Sequence, residues 1–179
     1  MSEAKSYADP LQIGEIITAE SAGIVIESKS TKYSVGEYVC CRSGWQEYFI
    51  SNDKDPMTYK VDPKLVPLST YLGVCGMTGR TAYFGLMKEA SPSKGETLVV
   101  SAASGAVGSI VGQIGKKIGL NVIGIAGSDE KCNYVVDELN FDGCVNYKSA
   151  FFRDELASEL DSGVDLSLIH ISEPTRLVS

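Results

Sequence analysis

The sequence contains very few residues of several types, and each scarcity excludes a class of function. Among 179 residues there is one histidine, His170, and one tryptophan, and aromatic residues make up 8% of the chain. Any scheme that needs histidine as a base or a metal ligand therefore depends on His170 alone. No stretch approaches the roughly 18 apolar residues of a membrane-spanning helix, and the first ten residues lack the apolar core of a signal peptide. We therefore expect a cytoplasmic protein.

Positive charge is also scarce. The chain has 16 Lys and Arg against 23 Asp and Glu, which gives a formal net charge of -7 at pH 7. A basic face that could coat the phosphates of nucleic acid is not expected from this balance. Hydrophobic residues make up 44% of the chain, which is enough to build a globular core.

The cysteine pattern argues against disulfides and zinc. Five cysteines, an odd number, form no CxxC pair, which predicts reduced and mostly buried thiols. Cys40 and Cys41 are neighbours in a predicted strand, so their side chains point to opposite faces and cannot together bind zinc.

The hydrophobic pattern changes near residue 70. Before that point, three runs rich in Val, Ile, Tyr and Phe are separated by glycines, which predicts strands of a small antiparallel barrel or sandwich. These runs are GEIITAESAGIVIES, GEYVCCRSG and WQEYFIS. The next segment, DPMTYKVDPKLVP, contains three prolines that rule out a continuous helix, and it is predicted to be a connector.

Beyond residue 70, apolar runs alternate with helical periodicity. The predicted strands are 96–102, 121–127, 143–147 and a run from Val164, and the predicted helices are 106–118, 128–140 and 151–160. Ser128 is the expected N-cap of the second of these helices. Strict strand-helix alternation predicts an α/β fold with a parallel doubly wound sheet, whose first four strands stand in the order 3-2-1-4.

A glycine turn joins the first of these strands to its helix. Ala103–Gly108 has the spacing of the dinucleotide fingerprint, with Ala103 in place of the first glycine. Gly105 lets the backbone approach a pyrophosphate, Gly108 lets the helix pack closely on the strand, and the helix N-terminus offers free N–H groups. The pattern favours a dinucleotide site over its alternative, a purely structural tight turn.

The end of the second strand bears on which dinucleotide is bound. An NAD enzyme typically places Asp or Glu there to bind the ribose 2′-hydroxyl, but here Ala126–Ser128 comes first and Asp129 follows. Lys131 lies in the first turn of the next helix, a poor place for a cation unless an anion is near. That anion could be a cofactor 2′-phosphate, or Lys131 could be a surface lysine paired with Glu130 or Asp129. Asp129 binding a ribose would instead indicate NAD.

Two sets of aromatic residues have alternative interpretations. Tyr147, at the end of the third strand, could stack beside an adenosine or cap the sheet edge, and sheet packing is favoured. The run from Tyr71 to Ala90 has a helix-compatible second half, which places Ala82, Tyr83, Leu86 and Met87 on one stripe. A stripe of aromatics and methionines, here Met77, Tyr83, Phe84 and Met87, is more often core than site.

Three motifs together carry a family resemblance. They are GVCGMTGRTAYFGL, GETLVVSAASGAVGSIVGQIGK and GSDEKCNYVVDELNFDGCVNYK. Over residues 1 to about 165, the chain resembles the zinc-free medium-chain dehydrogenase/reductase group, and within it the prostaglandin reductase and leukotriene hydroxydehydrogenase-like enone reductases. The resemblance implies a partial Rossmann doubly wound parallel sheet preceded by part of a GroES-like antiparallel β barrel. Residues 1–70 would be the C-terminal part of the GroES-like domain, and 71–165 the first half of an NADPH-binding Rossmann domain.

The resemblance also implies an activity and a set of site residues. Members of the group reduce the C=C bond of α,β-unsaturated ketones or aldehydes with NADPH and no metal, and we expect a homodimeric parent enzyme with a small-molecule substrate. The implied contacts are to the pyrophosphate by Gly105, Ala106, Val107 and Gly108, and to the adenosine 2′-phosphate side by Lys131 and Tyr147. No catalytic residue is identified. The alternatives are a quinone oxidoreductase of the same superfamily and a non-catalytic NADPH-binding protein.

Both ends depart from the family pattern. Family members are about twice as long as this chain, and MSEAKSYADPLQIGEIIT resembles an internal piece of their barrel, so Met1 is not expected to be the native start. The run LSLIHISEPTR resembles the translation of a transposase sequencing adapter. We therefore expect residues 166–179 to be a non-native tail and the 179-residue chain to be inactive by itself, the alternative being a divergent natural terminus. A foreign tail would remove His170 from every functional argument.

Overall fold

A computed structural model describes residues 11–168 of the chain. The chain divides between Gly76 and Met77 into two compact units. Met1, His170 and the part of the 166–179 segment beyond Leu168 lie outside the described residues. Within the described range, no helix combines the length and the apolar character needed to cross a bilayer.

The first unit contains a three-stranded antiparallel sheet. Its strands are β1 (Ser21–Ile24), β2 (Tyr38–Cys41) and β3 (Tyr59–Val61), in the order β1-β2-β3, followed by a 3₁₀ helix at Leu68–Leu72. Cys40 of the central strand is 1% exposed, whereas its neighbour Cys41 is half-buried, as expected of adjacent residues on opposite faces.

Two strand predictions for this unit were wrong. The segment WQEYFIS, at 45–51, forms no strand, and Trp45, Tyr48 and Ile50 are mostly exposed. The third strand, β3, lies instead in the segment predicted to be a connector. It fits between Pro56 and Pro63 because it is only three residues long and lies at the sheet edge, where proline beside the strand removes no ladder hydrogen bond.

The second unit is an α/β layer structure with a parallel sheet. Its helices are α1 (Met77–Phe84), continued by a π-helical segment (Gly85–Ala90), α2 (Gly108–Ile118), α3 (Asp129–Asp137) and α4 (Phe152–Glu159). Its strands are β4 (Thr97–Ser101), β5 (Asn121–Ala126), β6 (Gly143–Asn146) and β7 (Leu166–Leu168). They stand in the order β6-β5-β4-β7 and all pair in parallel. This confirms the predicted α/β fold class and the 3-2-1-4 order.

The core of this unit lies around β4. Four successive β4 residues are buried, as in a parallel strand covered on both faces. Helix α2 presents small residues to the sheet, and a Cβ added at Gly115 would lie 3.0 Å from Val122 Cγ2. The largest fully buried side chains of the unit are Leu86, Leu98, Val100, Val111, Val122 and Val135.

The predicted stripe of the first helix is only partly buried. Ala82 and Leu86 are fully buried, but Tyr83 is 47% exposed, and Met77 and Phe84 are also exposed. Ala82 and Leu86 lie four residues apart and so share one face, from which Tyr83 is rotated by about 100°. The prediction that Met77, Tyr83 and Phe84 are core residues was therefore wrong for the described part of the chain.

Asp142 contacts both α2 and β5, and its substitution should measurably lower the free energy of unfolding. Its Oδ2 accepts a hydrogen bond from Val122 N at 2.6 Å, and its Oδ1 lies 2.5 Å from Lys116 Nζ. We expect Asp142→Ala to lower the free energy of unfolding by about 1–2 kcal/mol, because it leaves a strand amide without its partner. Lys116→Ala should cost under about 1 kcal/mol, since it removes only a partly exposed ion pair. Urea denaturation checks this against the exposed Asp161→Ala, and equal losses for Asp142 and Lys116 variants would contradict it.

Candidate cofactor site

The turn after β4 is shaped by its backbone. Ala102 has φ 51°, in the left-handed region that non-glycine residues seldom adopt. Its carbonyl oxygen accepts a hydrogen bond from Gly105 N at 2.8 Å, which closes a tight turn. Ala103 is fully buried, and its amide donates to Ile125 O of the neighbouring strand at 3.0 Å. The turn is thus fixed to the carboxyl end of the sheet.

Two glycines let α2 begin directly against this turn. A Cβ at Gly108 would overlap the carbonyl oxygen of Ala102 and lie 3.1 Å from Ala103 Cα. A Cβ at Gly105 would lie 3.0 Å from the same carbonyl oxygen. Because these contacts are to backbone atoms, a side chain at Gly108 could be accommodated only by moving the turn away from the helix.

The start of α2 offers backbone donors. Val107, the N-cap residue, has a helical backbone conformation and makes no capping hydrogen bond with its side chain. Within 11–168, the N–H groups of Ala106, Val107 and Gly108 have no hydrogen-bond acceptor. Unpaired amides at a helix N-terminus carry partial positive charge and suit an anionic group.

The end of β5 leads directly into α3. Ser128 is the N-cap, and its Oγ accepts a hydrogen bond from Lys131 N at 3.3 Å, which confirms the predicted cap. The Lys131 side chain is exposed, and no carboxylate in the described part of the chain forms an ion pair with it. The pairing of Lys131 with Glu130 or Asp129 that the sequence left open is therefore not formed.

The Asp129 carboxylate is hydrogen-bonded to Asn146. Its Oδ1 accepts a hydrogen bond from Asn146 Nδ2 at 2.7 Å, across from the end of β6. Asn146 Oδ1 in turn accepts from Lys148 N at 3.0 Å, which fixes the amide group of Asn146. The nearest carboxylate after β5 is thus bound to the β6 side of the sheet.

Tyr147 lies one residue beyond β6 and is anchored to β5. Its amide donates to Ala126 O at 3.0 Å, and a Cβ at Gly127 would lie 3.0 Å from the Tyr147 hydroxyl oxygen. The Tyr147 side chain is 55% exposed, with Lys148 Nζ 5.8 Å from the centroid of its ring. The ring therefore lies against Gly127 at the carboxyl edge of the sheet and stays about half exposed.

A cleft of about 530 Å³ opens beside the end of β6. It is lined by Asp129, Cys132, Asn133, Cys144, Asn146, Lys148, Ser149 and Glu155. Burial raises the pKa of the Cys144 thiol well above its usual range, and a hydrogen bond to Cys132 adds to this effect. Both are free thiols, and Cys144 stays protonated at neutral pH, so it is not a thiolate nucleophile.

The structure brings the predicted residues to one edge of the sheet. The residues that follow β4 are Gly105, Ala106, Val107 and Gly108. Lys131 follows β5, and Tyr147 follows β6. The carboxyl ends of these parallel strands share one edge of the sheet. Sequence reasoning missed two residues, Ala102 and Asn146. Nothing in the sequence indicates a left-handed alanine, whereas an amide side chain at the end of a strand could have drawn attention to Asn146.

A glycine turn after the first strand of a parallel sheet, with a helix starting on it, defines the Rossmann class of α/β proteins. Comparison with known proteins points to one group within this class: over most of its length, the chain is similar to NADP-dependent oxidoreductases. Residues 1–59 match the family model described as the N-terminal domain of oxidoreductase. The prostaglandin reductase-like resemblance read from the three motifs is confirmed by relatives that align with most of the chain.

Individual relatives agree with this assignment. The NADPH-dependent curcumin reductase of Escherichia coli is 42% identical over 166 residues, covering 93% of this chain and 48% of the relative. Prostaglandin reductase 1 of Bos taurus is 43% identical over 153 residues, covering 85% and 46%. The crystal structure of CurA from Vibrio vulnificus in complex with NADPH has a TM-score of 0.82 at 45% identity, covering 93% and 49%. The chain spans about half the length of the curated relatives it matches.

Proposed function

We propose that this chain is part of an NADPH-dependent reductase of the C=C bond in α,β-unsaturated ketones or aldehydes. Within it, the described residues would hold the pyrophosphate and the adenosine 2′-phosphate of the cofactor. The observation that carries this proposal is the pair of side chains at the end of β5. Lys131 has no carboxylate partner in the described range, and Asp129 is bound to Asn146. A 2′-phosphate requires a free cation and a carboxylate that is bound elsewhere. A ribose 2′-hydroxyl does not require either.

The residues present fit such a cofactor. Unpaired amides at the start of α2 and the ammonium group of Lys131 are two sets of donors that lack an anionic partner within 11–168, at the same edge of one sheet. We assign pyrophosphate binding to Gly105, Ala106, Val107 and Gly108, and the 2′-phosphate side to Lys131 and Tyr147. NADPH, when bound, supplies the hydride for reduction of the C=C bond.

The names of the relatives support the reaction class. Curcumin reductase and prostaglandin reductase share roughly two residues in five with the chain. The quinone oxidoreductase alternative shares fold and cofactor, and no described residue favours it. We propose the division into a GroES-like part at 1–70 and the first half of the NADPH-binding domain at 71–165. Homodimerisation and a cytoplasmic location stay predictions.

Nucleotide titration tests the cofactor half of the proposal. Adenosine 2′,5′-bisphosphate and 5′-AMP differ by the 2′-phosphate alone, so calorimetric titration of the 179-residue chain with each isolates that group. We expect the bisphosphate to bind about tenfold more tightly, because a charge-assisted contact to one phosphate contributes roughly 1.5 kcal/mol. Equal affinities would contradict the assignment to NADPH.

A chimera tests the reaction class. Residues 11–165 of this chain would replace the corresponding segment of the Escherichia coli curcumin reductase, which is 42% identical. We expect NADPH oxidation with a 2-alkenal and much less with a quinone. The unaltered curcumin reductase is the control, and faster turnover of the quinone would favour the quinone oxidoreductase alternative.

A further inference from the structure

We propose that Asn146 is a positioning residue for cofactor choice: it holds the Asp129 carboxylate away from the 2′-phosphate. This inference rests on the proposed function and deepens it. Its basis is the 2.7 Å hydrogen bond from Asn146 Nδ2 to Asp129 Oδ1, which links the end of β6 to the first turn of α3.

The strand order shows on which side of β5 this hydrogen bond lies. In the order β6-β5-β4-β7, the glycine turn follows β4, whereas Asn146 ends β6 on the opposite side of β5. A carboxylate that starts from the end of β5 and binds Asn146 is therefore drawn away from the strand that carries the glycine turn. Asp129, which could otherwise bind a ribose, is turned toward the cleft beside β6.

The helix geometry separates Asp129 from Lys131. The two residues are two positions apart in α3, so their side chains leave the helix about 200° apart. Asp129, Asn146 and Lys148 all line the cleft beside β6, whereas Lys131 does not. The negative side chain thus faces one side of the helix start and the positive side chain the other.

Asn146 is itself fixed by the backbone. Its Oδ1 accepts from Lys148 N at 3.0 Å, so its amide Nδ2 is directed at Asp129 rather than free to rotate. Without the amide, Asp129 gains rotamers that bring its charge toward a phosphate bound by Lys131. The repulsion would weaken a 2′-phosphorylated nucleotide, and the freed carboxylate could accept a ribose 2′-hydroxyl.

A mutant cycle on the 179-residue chain tests this role, with the affinity ratio of adenosine 2′,5′-bisphosphate to 5′-AMP as the readout. We expect Asn146→Ala to lower that ratio about three- to fivefold, a modest change because both side chains are near solvent. In the Asp129→Asn background, the same substitution should leave the ratio unchanged. Asn133→Ala, which alters another asparagine of the same cleft, is the matched control and should change nothing.

Each outcome bears on one of the two proposals. An unchanged ratio in Asn146→Ala, or an equal loss in the Asp129→Asn background, overturns the role of Asn146 and leaves the cofactor assignment intact. No binding of either nucleotide by the unsubstituted chain overturns the proposed function, and the role of Asn146 with it. Thermal melting verifies that each variant folds. If Asn146→Ala does not fold, Asn146→Ser replaces it, since a serine hydroxyl can still accept from Lys148 N.

Discussion

Gly112→Ala is expected to lower the free energy of unfolding by about 2 kcal/mol. In an ordinary helix interior the same change would stabilise by about 0.8–1 kcal/mol. Here the sign reverses because the added Cβ would overlap the ring of Phe141, which is 4% exposed and packed against α2. Either the ring leaves its buried position or the helix moves off the sheet, and both disturb the core around Val111. Urea denaturation of the purified chain measures the difference.

A double substitution identifies the cause of that loss. Phe141→Leu removes the ring, so Gly112→Ala should cost much less in that background than in the unsubstituted chain. Gln113→Ala, on the exposed side of the same helix, is the matched control and should stay within about 0.5 kcal/mol. If Gly112→Ala proves as stable as the unsubstituted chain, the close packing of α2 on Phe141 is wrong.

Lys131→Ala is expected to lower the preference for NADPH over NADH about tenfold or more. The ammonium group would be the charge that binds the 2′-phosphate, and a hydrogen bond to a charged group contributes about 1.5–3 kcal/mol. Because Lys131 has no carboxylate partner in the described residues, its removal leaves no buried charge unpaired and should hardly affect stability. Fluorescence titration with each cofactor measures the preference.

The controls separate this contact from a general effect of charge. Lys131→Arg should retain most of the preference, since it keeps the cation. Lys117→Ala removes an exposed lysine from the last turn of α2 and should leave the preference unchanged. The preference should also weaken as salt rises, because exposed charges are screened. An equal loss of NADPH and NADH binding in Lys131→Ala would show that Lys131 does not recognise the 2′-phosphate.

Much of the second unit could be predicted from local sequence. The apolar runs and the 3.6-residue periods located β4, α2, β5 and α3 within a few residues, and Ser128 was identified as a cap by its residue type and position. The glycines after β4 marked the turn because only glycine tolerates backbone that close. These features depend on neighbours within one or two turns of the chain, and a sequence pattern records such neighbours directly.

The first unit shows where the pattern was insufficient. WQEYFIS has the composition of a strand, but no strand among residues 11–168 pairs with it, whereas the short Tyr59–Val61 pairs with β2 despite the nearby prolines. Strand formation depends on finding a partner with free backbone groups. Composition describes a segment's preference and not the availability of that partner.

By itself, the sequence determined the fold class, the glycine turn and the residue types at the candidate cofactor site. Only the tertiary structure decided that Lys131 stands without a carboxylate among residues 11–168, that Asp129 is bound by Asn146, and that Phe141 fills the space above Gly112. The physical reason is that the contacts of Asp129 with Asn146 and of Gly112 with Phe141 are not local in the sequence. The partners are far apart in the chain and meet only because parallel strands bring their ends to one edge and a helix packs on the sheet between them.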